Sequence, residues 1–251
     1  MIEIKNLSKS FGDNDVLKDI SVNFKRGKVN MIIGQSGSGK SVLTKCVVGL
    51  IKPDSGEVYF DGQDFIAMEL DEKKDIRKNI GMLFQASALF DSMTVEENIM
   101  FPLTMFTDMK KADMVARANE CLDRVNLKGK NKLYPSETSG GMQKRIAIAR
   151  AIAMKPKYLF CDEPNSGLDP QTAIVIDNLI HDITEEMDIT TVVISHDMNS
   201  VIEIGHHIMF IYKGENWWEG SKDQILRSSN QELNDFVYAS DFMKTVKEKL
   251  A

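Results

Sequence analysis

An α/β fold with a largely parallel sheet is the expectation, and two observations carry it. Five apolar runs of strand length, "VNMIIG", "IGMLF", "YLFCDE", "TVVIS" and "IMFIY", start at Val29, Ile80, Tyr158, Thr191 and Ile208. Helical stretches separate several of them, and strands alternating with helices build parallel sheets.

In chain order, "MIEI", "ISVNF" and "EVYF" read as strands of a small N-terminal sheet, broken by the turn formers of "SFGDND" and "KPDSGE". "VNMII" is a buried-type strand. From about residue 90 to 154 strand signals fade. "KKADMVARANECLDRV" has a 3.6-residue apolar period, and "SGGMQKRIAIARAIAM" stops just before Pro156. This predicts a helical subdomain of about residues 90–154 inserted into a domain of residues 1–220. Residues 221–251 read as a tail of two short amphipathic helices. Trp217 and Trp218 should alternate across a strand and have no evident role.

A net charge of −6 with no basic block argues against nucleic acid as a partner. Cys46, Cys121 and Cys161 are far apart and match no metal spacing, which fits small buried apolar residues in a reducing compartment. There is no apolar run of the ~18 residues that spans a bilayer, and the N-terminus does not read as a signal peptide. A cytoplasmic protein is expected, with any membrane contact made through a partner.

"GQSGSGKS", Gly34 to Ser41, fits G-x-x-x-x-G-K-[ST] between a strand and a helix. Gly34, Gly37 and Gly39 let backbone N–H groups turn inward around a phosphate, with Ser36 and Ser38 between them. The helix beginning near Val42 adds a favourable dipole. Lys40 reaches the β- and γ-phosphates of a nucleotide, and the Ser41 hydroxyl suits Mg²⁺. A glycine-rich turn matches this pattern by accident in roughly one chain in a hundred of this length.

"YLFCDEP" ends an apolar strand on two carboxylates, which is costly without a cation nearby. Asp162 suits the metal, through water. Glu163 suits the general base that polarises an attacking water. An Asn-Lys-x-Asp guanine reader is absent, since "NKLY" at 131–134 lacks the Asp.

Six features together resemble the nucleotide-binding subunit of an ABC transporter over about residues 1–220. They are the loop at 34–41, "LFQ" ending at Gln85, "TSGGM", "YLFCDE", "SGLDP" at 166–170, and "ISHD" with His196. The resemblance implies a P-loop NTPase (RecA-like) core, an N-terminal antiparallel β-subdomain and an inserted helical subdomain. It also implies ATP as substrate and two copies meeting head to tail. Ser139, Gly140 and Gly141 would then donate hydrogen bonds to the γ-phosphate held by the opposite copy. Thr138 and Met142 replace the commonest Leu and Gln of that motif, so a ribose contact from the fifth side chain is lost.

By the same resemblance Phe11 stacks on adenine and Val16 adds an apolar contact. Gln85 touches the metal or the water, Asp169 faces the other copy, and His196 orients the water with Glu163. His181, His206 and His207 match no motif.

"MLFQASALFDSMTVEENIMFPL", with Met after the Ser-Gly-Gly, looks like the ATPase of the Mla-type, Mce-associated systems that move phospholipid or other lipids between bacterial membranes. That likeness implies a transmembrane permease, a place for a lipid-binding Mce-type accessory protein, and a position on the inner face of the inner membrane. Met82, Met93, Met100, Met105 and Met109 suit either a permease groove or, the better reading, a methionine-filled core. Two alternatives stand beside transport. One is a soluble ABC-type ATPase of translation or DNA repair, though the chain lacks their fused second domain or coiled-coil insert. The other is an assembly module timed by slow hydrolysis.

Overall fold

The computed structural model describes residues 1–239 and 244. The chain forms two compact units, Met1–Met68 with Val192–Ala251, and Glu69–Thr191.

The first unit begins with an antiparallel pair, β1 (Ile2–Phe11) and β2 (Asn14–Phe24). Ile2 and Ile4 are buried and alternate with Glu3 and Lys5, but the next buried residue is Leu7. That break in alternation needs a bulge. The register shifts between Ile4 and Leu7, where Asn6 takes φ 49°, and Leu7 stays on the core face. β3 (Val29–Ile33) is buried throughout and runs through a glycine loop into α1 (Lys40–Val47). β4 (Ser55–Phe60) and β5 (Gln63–Asp64) complete a sheet of order β2-β1-β4-β5. Phe60 and Phe65, both fully buried, meet edge to face at 5.4 Å beneath it.

The second unit opens on α2 (Leu70–Lys78), a charged helix with no buried residue, which starts from a capping box between Glu69 and Glu72. β6 (Ile80–Leu83) follows. α3 (Val95–Phe106) carries Pro102 and starts at Thr94, whose hydroxyl accepts from Glu97 N. The buried Asn98 amide clasps the turn ahead of it, donating to the carbonyls of Phe90, Met93 and Thr94 and accepting from Phe90 N. Next come α4 (Lys111–Arg124), a 3₁₀ turn at Pro135–Glu137, α5 (Gly140–Ile152), β7 (Tyr158–Asp162) and α6 (Pro170–Glu186). β6 and β7 are parallel, with Gly81 beside Leu159. A Cβ on Gly81 would lie 2.4 Å from Ala151 O, so only glycine lets the end of α5 rest on this strand.

β8 (Thr190–Ile194) carries the chain back. Its first two residues belong to the second unit, where the order is β8-β7-β6, and its last three to the first, where the order is β10-β9-β3-β8. The remaining elements are α7 (Met198–Ile204), β9 (His207–Tyr212), β10 (Glu215–Gly220), α8 (Lys222–Ile225) and α9 (Gln231–Val237). β9 is parallel to β3 and antiparallel to β10.

Trp217 and Trp218 lie on β10 where its register against β9 shifts, Asn216 pairing with Ile211 and Trp218 with Phe210, so the expected simple alternation is interrupted there. Trp217 lies edge-on to Tyr212 at 5.5 Å and donates from Nε1 to Glu232 just inside α9, while Phe210 meets Phe236 at 5.5 Å. This aromatic seam fastens α9 to β9. The rest of the expected tail lies outside the described residues, apart from Lys244.

The three cysteines are free and buried. Burial pushes the Cys46 thiol up to about 11 and Cys161 well above its ordinary range. The methionines divide. Met100 is core, whereas Met105 is 58% exposed and Met109 37% exposed, so the reading of a methionine-filled core holds for only part of the set. Among the described residues no helix is long and apolar enough to cross a membrane.

Arg117 of α4 ties down the end of α5, donating from Nε to Ala153 O at 2.9 Å and from a terminal nitrogen to Ile152 O at 2.8 Å. Arg117→Ala is expected to lower unfolding free energy by about 1–3 kcal/mol, read as a lower urea midpoint at unchanged slope.

Candidate functional site

In the first unit the loop between β3 and α1 has the backbone of an anion cradle. Gly34, Gly37 and Gly39 take φ values of 147°, 80° and 106°, in the region side chains disfavour. At two of them the space is also closed. A Cβ on Gly34 would sit 2.4 Å from Ile211 O, and one on Gly39 would sit 2.9 Å from Val16 O. Gly39 caps α1 without any side-chain bond, so the first N–H groups of the helix have no side-chain cap.

Lys40 is buried, and its ammonium folds back on the loop, donating to the carbonyls of Gly34 and Gln35 at 2.8 Å each. Ser38 Oγ is buried and lacks a hydrogen-bond partner among the described residues. An orphaned hydroxyl, glycine-dictated curvature and an inward lysine together fit phosphate. Ser36 and Gly37 are exposed on the outer turn, and Ser41 and Val42 are half-buried on α1. Phe11 is 49% exposed at the end of β1, with the Lys9 ammonium 5.2 Å from its ring centre. His196 is exposed just past the end of β8.

In the second unit β7 delivers Asp162 and then Glu163, both half-buried. Glu163 has φ 49°, a left-handed backbone that costs a non-glycine residue about 1–2 kcal/mol. Its carbonyl accepts from Ser166 N at 3.1 Å, closing the turn. Gln85 is exposed, and its amide donates to Ser166 Oγ at 3.3 Å. The loop after Gln85 holds two more left-handed residues, Ser87 and Ala88, and Arg150 of α5 donates to both carbonyls. These bonds offset the strain.

α5 begins at the serine-glycine motif. Ser139 is its N-cap and accepts from Met142 N at 3.3 Å. Ser139 and Gly140 are exposed, and a Cβ on Gly140 would approach only Leu168, at 3.8 Å. Gly141 is packed, since its Cβ would lie 2.5 Å from Thr172 Cγ2. Asp169 caps α6, and its hydrogen bonds from the Thr172 hydroxyl and N–H hold its carboxyl below the usual range. The first turn of α5 thus leaves Ser139 and Gly140 exposed, with Gly141 packed behind them.

Sequence reasoning missed two residues here. Lys144 donates to Gln85 O, and Ser166 joins Gln85 to the Glu163 turn. The signal for Lys144 lay in the helical period, because it falls on the buried stripe of Gly141, Ile148 and Ala151.

This second unit also contains a cavity of about 430 Å³. Phe84, Phe90, Phe101 and Phe106 line it, with Arg77 and Arg150.

A glycine phosphate cradle after a buried strand, and a carboxylate pair at the end of another, define a phosphate-loop nucleoside triphosphatase. Residues 17–166 match the ABC transporter family model, and the chain belongs to that family, as an ATP-hydrolysing cassette. It is 37% identical over 237 residues to the intermembrane phospholipid transport ATP-binding protein MlaF of Haemophilus influenzae, covering 94% of this chain and 90% of that one. The methionine import ATP-binding protein MetN of Desulfitobacterium hafniense is 38% identical, over 98% of this chain and 72% of its own. A solved dimeric bacterial ABC transporter cassette superposes with a TM-score of 0.81 at 35% identity, covering 88% of this chain and 99% of its own.

Gly34→Ala is expected to leave a folded chain that binds ATP at least about tenfold more weakly in equilibrium titration, because the added methyl meets Ile211 O.

Proposed function

We propose that two copies of this chain close on two ATP molecules and drive a separate transmembrane permease that moves phospholipid or other lipids between bacterial membranes. The observation that carries the cargo is the likeness to MlaF, which runs nearly the full length of both chains. A second reading, methionine import, draws on MetN at 38% identity, although more of that relative lies outside the match.

The roles combine the chemistry of each residue with the family resemblance. The N–H groups of Gly34–Ser41 and the Lys40 ammonium neutralise the β- and γ-phosphates, and Phe11 and Val16 receive the adenine. Ser41, Asp162 and Gln85 are hard oxygen donors of the kind Mg²⁺ takes, and that ion supplies charge neutralisation at the phosphates. Glu163 accepts a proton from the attacking water, while Gln85 and His196 orient it. Ser139, Gly140 and Gly141 donate to the γ-phosphate of the opposite copy, and Asp169 shapes the same contact. The exposure of Ser139 and Gly140 at the N-terminus of α5 supports this assignment.

The aromatic cavity suits a short helix of the permease, which would hold the chain at the inner face of the inner membrane. An Mce-type lipid-binding protein would complete the assembly.

Glu163→Gln should slow turnover at least about a hundredfold with ATP binding intact, measured by phosphate release beside titration with labelled ATP. Near-normal turnover would remove Glu163 as the base. Ser139→Arg should abolish hydrolysis while a single copy still binds ATP, and retained activity would count against a shared site. For the cargo, the complex recovered in detergent with its permease is placed in phospholipid vesicles. ATP-dependent lipid transfer supports the first reading, and methionine uptake supports the second.

A further inference from the structure

Lys144 has no role in the function proposed above, yet its surroundings are unusual for a lysine. It lies on the buried stripe of α5 with only 4% of its surface exposed. Its ammonium donates to Gln85 O and stands 3.5 Å from Glu163 O. Burial holds it below the usual lysine range, against the opposing pull of Asp162 and Glu163. A desolvated cation aimed at two backbone carbonyls is costly unless those carbonyls need holding.

Both belong to constrained segments. Glu163 has a left-handed backbone, and the loop after Gln85 turns through left-handed Ser87 and Ala88. The two segments are further joined by Gln85 Nε2 donating to Ser166 Oγ and by Ser166 N donating to Glu163 O. A ring of bonds therefore runs from Lys144 through Gln85 and Ser166 to Glu163. It is anchored on the helix whose first turn carries Ser139.

We propose that Lys144 is a positioning residue, which fixes the Gln85 and Glu163 backbones at one separation so that the Gln85 amide and Glu163 carboxylate address the same water. The proposal rests on the assignment of Glu163 as base. Five residues of helix, about 7.5 Å, separate Lys144 from Ser139. A phosphate seated at the start of α5 would be felt at the base through this side chain.

The test uses the full chain in its ATP-hydrolysing form. Lys144→Met keeps the apolar stem and removes the donors. It should lower kcat at least about tenfold while leaving the KM for ATP within about threefold. Lys144→Gln keeps an N–H donor and should recover part of the loss. A double-mutant cycle separates positioning from packing. In a Glu163→Gln background, Lys144→Met should cost no more than about twofold further in single-turnover rate, because its action passes through Glu163. Multiplying losses, or a Lys144→Met kcat within about twofold of the parent, would overturn the proposal. If Lys144→Met fails to fold, Lys144→Gln carries the same cycle. Normal turnover in Glu163→Gln alone would sink the underlying reading instead.

Discussion

A polyphosphate is held by backbone N–H groups only if the chain turns several of them toward one point, and ordinary residues resist the required torsions. Gly34, Gly37 and Gly39 take such torsions in the first unit, and the packing of Ile211 and Val16 against Gly34 and Gly39 leaves no room for a side chain. The second unit places left-handed torsions on residues that are not glycine. Glu163, Ser87 and Ala88 are left-handed, and each depends on neighbours that over-determine it.

Those neighbours converge on α5. Its first turn offers Ser139 outward, Lys144 reaches the Gln85 and Glu163 carbonyls, and Arg150 holds Ser87 and Ala88. Arg117 and Gly81 in turn fix its far end. The serine-glycine turn and the loops bearing the acid and the glutamine are thus tied to one helix.

Much of this was legible in the sequence. The strands from Val29, Tyr158 and Thr191 are largely apolar runs because they are buried on both faces, and the loop announced itself by glycine spacing. α2 escaped notice because it buries nothing and so has no apolar period. The bulge at Asn6 was hidden because only the switch from Ile4 to Leu7 records it. Lys144 was passed over since a lysine reads as solvent-facing until its stripe is known. Cargo is less legible than catalysis for a different reason. Relatives named for phospholipid, methionine and ribonucleotide transport match this chain at 36–38% identity, because all must turn over the same triphosphate.

The central claim is that each triphosphate site is assembled from the cradle of one copy and the serine-glycine turn of another. Mixing a Lys40→Ala chain with a Ser139→Arg chain tests it directly, since neither has both parts intact but a mixed pair contains one complete site. Single-turnover ATP hydrolysis is expected to reappear on mixing, in proportion to the mixed pairs formed. A mixture as inert as its components, with mixed pairs demonstrably present, would contradict the shared site.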